Sequence, residues 1–529
     1  MRDFHTAGRG PAFATNAMAA TSMPEATLTA IEVMKAGGNA LDAAIAAAAV
    51  LAVVEPQSTG VGGDLFCLYS PAGSGKVIAL NGSGRTPAGL SLDALAAKGV
   101  SSYEASSVHA ITVPGGVCAW ETLAKTHGRK GLDELLAPAI RFAEGGYVVT
   151  PRVAADWAEA PVVAKLKKNG AGIFLPGGST PAPGTVMRNP DLAATLRAIA
   201  KEGAKAFYTG PIAARIVKDL QARGGFHTEE DFAAGLSLAE FVTPISRSFA
   251  GHEIWECPPN GSGIIALMLM GIMDGFAPSA DPLDPLRLHR HVEAARLVYR
   301  DRDAFLGDPA FSEVPVAHLL SDDYISGLRG LISDERALET LPAAGSLHKD
   351  TVYIAVVDAE GNCCSFINSI FQSFGSGIVA GDTGVVMHNR GFSFSMRRGH
   401  PNEVAPNKRP MHTIIPAMAF KNNQPQIVFG VMGGQYQPMG QSWVVANMLN
   451  YGMDPQAALD LPRIFPFAGR VEVERGISAS ARAKLEAKGH RLAEIDLPHG
   501  GGQVIRLDHE RGILIGGSDP RKDGCALGY

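Results

Sequence analysis

The 529 residues suit about three ordinary domains or one large layered fold. Hydrophobic residues make up 46% and charged residues 19%, which excludes a wholly disordered chain. A net charge of −5 argues against a basic nucleic-acid-binding surface.

In chain order, Met1 to Ala12 has no charged-then-apolar signal layout, so the cytoplasm is the expected compartment. Ala26 to Met34 has helical periodicity and ends at Gly37-Gly38-Asn39; a second, apolar helix starts at Ala40. Its run Ala43 to Val54 is well short of the ~20 residues of a spanning helix and reads as a buried core helix. No membrane partner is expected. The turn-rich Ser58 to Asp64 leads into strand Leu65 to Tyr69, and strand Val77 to Leu80 follows. From about 120 to 340 the pattern is mostly helical, clearest from Leu286 to Asp303.

The character changes at Leu341. Pro342 to Asp350 is polar and turn-prone, then strands are predicted at Thr351 to Val357 and Cys363 to Phe371. Further strands are predicted at Ile414 to Phe420 and Gln426 to Val431, and helices at Gln441 to Asn450 and Pro455 to Leu461. The front two-thirds thus reads as helix-rich and the back third as sheet-rich.

Several local patterns bear on chemistry. Ala72-Gly-Ser-Gly-Lys76 fails the phosphate-loop pattern, because Ser70 and Val77 stand where Gly and Ser or Thr are needed. His289 and Glu293 share a helix face but make an incomplete metal site, so no metal is assigned. The six cysteines form no Cys-x-x-Cys pair and read as reduced, buried thiols; Cys363 and Cys364 would point to opposite faces of a strand. Gly433 and Gly434 follow a strand. They are a plain turn or, through two freed backbone N–H groups, an oxyanion hole.

Asp350-Thr351 stands where the composition breaks and a two-strand unit begins. That is the layout of a chain cut before Thr351. The Thr351 hydroxyl would attack the Asp350 carbonyl, and the ester would hydrolyse. The freed α-amine, with a pKa of roughly 7.7–8, would then serve the same hydroxyl as base.

Together these motifs resemble the gamma-glutamyltransferase (glutathione hydrolase) superfamily of N-terminal-nucleophile hydrolases. The resemblance spans nearly the whole chain. It is carried by Lys35-Ala-Gly-Gly-Asn-Ala-Leu-Asp-Ala-Ala44, Gly60-Val-Gly-Gly63, Thr112-Val-Pro-Gly-Gly116 and Pro258-Pro-Asn-Gly-Ser-Gly263. Thr351 to Asn362, Phe374-Gly-Ser-Gly-Ile-Val379, Asn407-Lys-Arg-Pro410 and Gly433-Gly434 follow in the expected order.

The resemblance implies an α+β fold, a four-layer αββα sandwich built from a large chain 1–350 and a small chain 351–529. It implies Thr351 as nucleophile, Ser369 as its hydrogen-bonding hydroxyl, Gly433 and Gly434 as oxyanion hole, and Arg85 as the grip on a glutamyl α-carboxylate. No cofactor is needed. The partners it implies are a small-molecule amide and the two chains of one precursor; a dimer of these heterodimers is left open.

The sequence also departs from the family pattern. Positions expected to hold the glutamyl α-amine carry Phe371, Arg390 and Ser393, and the family's paired serines become His412 and Thr413. An ammonium group would lose its acidic partner and meet Arg390. The departures resemble the glutathione-hydrolase-like, oxamate-amidohydrolase-like and acylase-like branches. They suit a small anionic acyl group held by Arg85, Arg390 and His412. The competing readings are a true glutathione hydrolase or gamma-glutamyltransferase, and a catalytically silent binding protein of the same fold.

Overall fold

The computed structural model describes residues 8–339 and 351–529. The expected cleavage point at Asp350 lies outside the described residues.

The run Val352–Val357 is apolar throughout because it is buried on both faces, as a strand inside a stack of layers must be. It is β8 of one antiparallel seven-stranded sheet. That sheet also holds β2 (Met18–Thr21), β3 (Asp64–Ser70), β4 (Ile78–Gly82), β5 (Glu240–Val242), β9 (Cys363–Ser369) and β14 (Cys525–Gly528). Their order is β14-β2-β8-β9-β3-β4-β5.

The second antiparallel seven-stranded sheet comprises β1 (Ala12–Ala14), β6 (Ile245–Phe249), β7 (His252–Glu256), β10 (Ala417–Lys421), β11 (Gln424–Met432), β12 (Gly501–Asp508) and β13 (Ile513–Ser518). Their order is β1-β13-β12-β11-β10-β7-β6. Each sheet draws strands from both sides of Thr351, so neither the front nor the back of the chain completes a sheet alone.

The alternation of side chains along β8 and β9 separates two cores. Tyr353, Ala355, Cys363 and Ile367 point between the sheets, against Met418 and Val428. Val352, Ile354, Cys364 and Phe366 point outward onto helices α1 (Pro24–Lys35) and α2 (Ala40–Val54). Helices α3 (Gly263–Asp274), α4 (Pro285–Phe305) and α5 (Gln437–Tyr451) cover the second sheet. The architecture is therefore αββα, as the resemblance implies.

Helix α2 is buried on every side, and its alanines let it lie close to β8. It starts at a capping box, Asn39 with Asp42, directly after the Gly-Gly break. Helix α5 begins at Gln437, one turn before the predicted Gln441, because Pro438 sits in its first turn, where a missing N–H does no harm. Strand β9 ends at Ser369 rather than Phe371, whose φ of 78° cannot continue a strand.

Cys363 and Cys364 indeed face opposite cores, and all six cysteines are free thiols. The Ala72–Lys76 segment is an exposed turn between β3 and β4. His289 hydrogen-bonds His490 and the Ser333 carbonyl, each at 2.7 Å. No helix among the described residues is long and apolar enough to cross a membrane.

Glu256, at the end of β7, is fully buried with neither oxygen hydrogen-bonded among the described residues. Burial pushes its carboxyl well above the usual glutamate range, so the folded protein holds it neutral. A raised folded pKa means the native state binds the extra proton, and stability falls as pH rises above the unfolded value, by about 1.4 kcal/mol per pH unit. Glu256→Gln is expected to gain on the wild type steadily above about pH 4.5. Denaturant unfolding of both proteins across pH 5–9 checks this; parallel curves would refute it.

Candidate active site

The register of β8, β9 and β3 aligns three side chains on the face between the sheets. Val352 pairs with Asn368, so Thr351 stands opposite Ser369. Ser369 in turn pairs with Asp64. Cross-strand neighbours on one face lie about 4.5–5.5 Å apart, which makes Thr351, Ser369 and Asp64 a row across three strands. All three are fully buried. Gly63 is required beside this row: a Cβ there would meet the Ser369 carbonyl oxygen at 2.5 Å.

Thr351 Oγ1 lies 3.0 Å from Ser369 Oγ, and Ser369 Oγ also accepts from the Phe371 N–H at 2.9 Å. Thr351 shares its strand face with Tyr353, whose ring packs onto Gly430 of β11. Three residues beyond Gly430, β11 runs into Gly433, with φ of 124°, and Gly434, with φ of 55°. Gly434 opens the short helical turn Gly434–Tyr436 that feeds α5. Neither glycine N–H is taken by a backbone hydrogen bond among the described residues. Both stand where the positive end of the α5 dipole adds to their pull on an anion.

Asp64 is the centre of a charged cluster that motif reading missed. Its Oδ1 accepts from the Gly84 and Gly115 N–H groups at 2.9 and 3.0 Å. Its Oδ2 accepts from His412 Nε2 at 3.0 Å and faces His388 Nδ1 at 3.5 Å. Burial alone would raise this carboxyl, but His388, His412 and Arg390 outweigh it and hold it well below the usual aspartate range. A carboxylate only accepts, so the ring hydrogen of neutral His412 is on Nε2. Burial, with Arg390 adding to it, brings His412 down to about 3, so it is neutral at physiological pH. His388 Nε2 lies 2.8 Å from the Thr112 carbonyl oxygen.

Arg390 is fully buried in the short turn Arg390–Ser393. Its Nη1 donates to Thr413 Oγ1 at 2.8 Å, and its guanidinium lies 3.9 Å over the Phe371 ring. Burial brings its pKa down to about 9, Asp64 opposing, so the group stays cationic near neutral pH. The structure thus brings Thr351 and Ser369 together, and Arg390, His412 and Thr413 around Asp64, with Phe371 shared between the two groups.

Arg85 follows Gly84, whose N–H bonds Asp64, and its side chain has other partners. It donates to the Asn407 carbonyl at 3.0 Å and pairs with Glu240 at 3.3 Å and Asp308 at 3.5 Å. The available signal for Asp64 was a single acid opening an otherwise apolar strand directly after Gly60–Gly63. His388 carried no local signal, and Thr112 entered only as the first residue of the Thr112–Gly116 motif.

The sequence profile described as gamma-glutamyltranspeptidase matches residues 26–529. The glutathione hydrolase-like YwrD proenzyme of Bacillus subtilis is 37% identical over 508 residues, covering 94% of this chain and 95% of that protein. The oxamate amidohydrolase proenzyme of Klebsiella pneumoniae is 34% identical over 530 residues, covering 97% and 99%. The crystal structure of cephalosporin acylase from Bacillus halodurans superposes with a TM-score of 0.93 at 40% identity, over 100% of this chain and 98% of that one. With its sequence matched almost end to end and its αββα layers shared, the chain belongs to the gamma-glutamyltranspeptidase family of enzymes, which act on carbon–nitrogen bonds.

Proposed function

We propose that this chain is an autoprocessed amide hydrolase that uses Thr351 as N-terminal nucleophile on a small anionic acyl amide. The observation that carries the reading is the buried Thr351 hydroxyl, at the head of β8, within hydrogen-bond distance of Ser369. Cleavage after Asp350 divides the protein into a large chain 1–350 and a small chain 351–529. The Thr351 Oγ attacks the Asp350 carbonyl carbon, the peptide becomes an ester, and water releases the Asp350 carboxylate and the Thr351 α-amine.

In the mature site the α-amine takes the Thr351 hydroxyl proton as Oγ attacks the substrate carbonyl. Gly433 and Gly434 N–H groups hold the oxyanion, and the proton passes to the departing amine. Water then attacks the acyl ester, returns Thr351 and frees the acid. Arg390, held by Thr413 and balanced by Asp64, supplies the cation for the acyl anion. Arg85, tied to two acids, forms the outer part of the same site.

A true gamma-glutamyl specificity is disfavoured, because Asp64 already accepts from Gly84, Gly115 and His412 and Arg390 stands beside it. The name of one relative, an oxamate amidohydrolase, agrees with an acyl group lacking an α-amine.

The intact mass of the purified wild type tests the reading. Two chains are expected, the smaller beginning at Thr351, together with turnover of an anionic acyl anilide. A single uncleaved chain without turnover would sink it and favour a silent binding protein. In the mature enzyme Ser369→Ala is expected to lower kcat about 10- to 100-fold by removing the nucleophile's hydrogen bond. Ser369→Thr keeps the hydroxyl and most of the rate. Steady-state kinetics of the two variants check this.

A further inference from the structure

Two buried polar edges of the site lack partners among the described residues, and together they fit one kind of ligand. Arg390 commits Nη1 to Thr413, while Nε and Nη2 remain unbonded. These two nitrogens form the side edge of the guanidinium, which takes a carboxylate through two parallel hydrogen bonds. The second edge is His412 Nδ1, also unbonded. It is a bare acceptor because the ring hydrogen is on Nε2, donated to Asp64. Arg390 and His412 are both fully buried. His412 bonds Asp64, and Arg390 lies close enough to lower the same carboxyl, so both edges border one wall around that carboxylate.

We infer that this wall recognises an acyl group ending in a carboxylate with a neutral hydroxyl or amide N–H on the adjacent carbon. Arg390 holds the carboxylate through Nε and Nη2, and His412 Nδ1 accepts from the neighbouring donor. A buried acceptor left unbonded is unfavourable, so a ligand that supplies the hydrogen gains over one that does not. An α-ammonium in the same place would sit beside the Arg390 guanidinium, and Asp64 already holds two backbone N–H groups on Oδ1 and His412 on Oδ2. The catalytic use of this wall rests on the amide-hydrolase reading of Thr351; the binding preference does not.

Calorimetric binding of free acids to the purified full protein tests the inference. Two series differ only at the carbon next to one carboxylate: 2-hydroxyglutarate, glutarate and glutamate, and malate, succinate and aspartate. In at least one series the hydroxy acid is expected to bind about 10-fold or more tightly than the plain acid, and the amino acid most weakly. Arg390→Gln is expected to abolish binding of all three, and His412→Phe to remove the advantage of the hydroxyl. No gain from the hydroxyl, an amino acid that binds as tightly as the hydroxy acid, unchanged binding by Arg390→Gln, or no binding in either series would overturn the inference. Where His412→Phe does not fold, the wild-type order decides.

Turnover of the corresponding anilides is read separately. The expected binding order without chain cleavage or turnover supports this inference and refutes the hydrolase reading. Turnover with glutamyl favoured over hydroxyglutaryl does the reverse.

Discussion

Replacing Thr351 by alanine is expected to leave one 55.4 kDa chain and to lower amide turnover by at least about 1,000-fold. In the proposed mechanism the same oxygen opens the precursor and forms the acyl ester, and the α-amine that would serve it as base exists only after cleavage. Loss of Oγ therefore removes the nucleophile, and loss of cleavage removes the base. Ser369 replaces neither function: its Oγ accepts from the Phe371 N–H, and, lying within the chain, it has no free α-amine of its own. Thr351→Ser restores the oxygen and is expected to process and turn over, more slowly than the wild type. Intact mass and single-turnover kinetics read both effects. A Thr351→Ala protein that still splits at the same bond would move the nucleophile elsewhere.

The second large effect is expected at Asp64. Asp64→Asn takes the counter-charge from a fully buried Arg390 and an acceptor from His412. Leaving one buried charge without its partner destabilises a protein by about 3–5 kcal/mol. The pH dependence has a definite sign. The folded carboxyl lies below its unfolded value, so its contribution is fully present above about pH 4 and fades as pH falls below that through the folded pKa. The deficit of Asp64→Asn is thus expected in full at pH 7 and to shrink in strong acid. Denaturant unfolding in a Thr351→Ala background, where the chain stays whole, measures it as a single unimolecular transition. Equal stability at pH 7 would show that Arg390 finds its balance elsewhere.

Much of this molecule was legible in the sequence because the relevant signals are local. The Gly37-Gly38-Asn39 break, the alanine-rich run after it and the alternation of Cys363 and Cys364 each follow from backbone geometry within a few residues. The turn at Gly433-Gly434 and the strand beginning at Thr351 are of the same kind. Boundaries shifted where one residue decided them, Pro438 at the start of α5 and Phe371 at the end of β9.

The sequence by itself determined a helix-rich front and a sheet-rich back, since strand periodicity and glycine turns are encoded in short stretches, and the resemblance carried by its motifs implied the family and the layers. Only the tertiary structure decided that Asp64 shares a row with Ser369 and Thr351. It alone joined His412, His388 and Arg390 to that carboxylate, and it alone gave the Arg85 side chain Glu240 and Asp308 as partners. These side-chain partners of Asp64 lie more than 300 residues away along the chain, and a charge pair across that distance exists only once sheet register and burial have fixed which side chains meet.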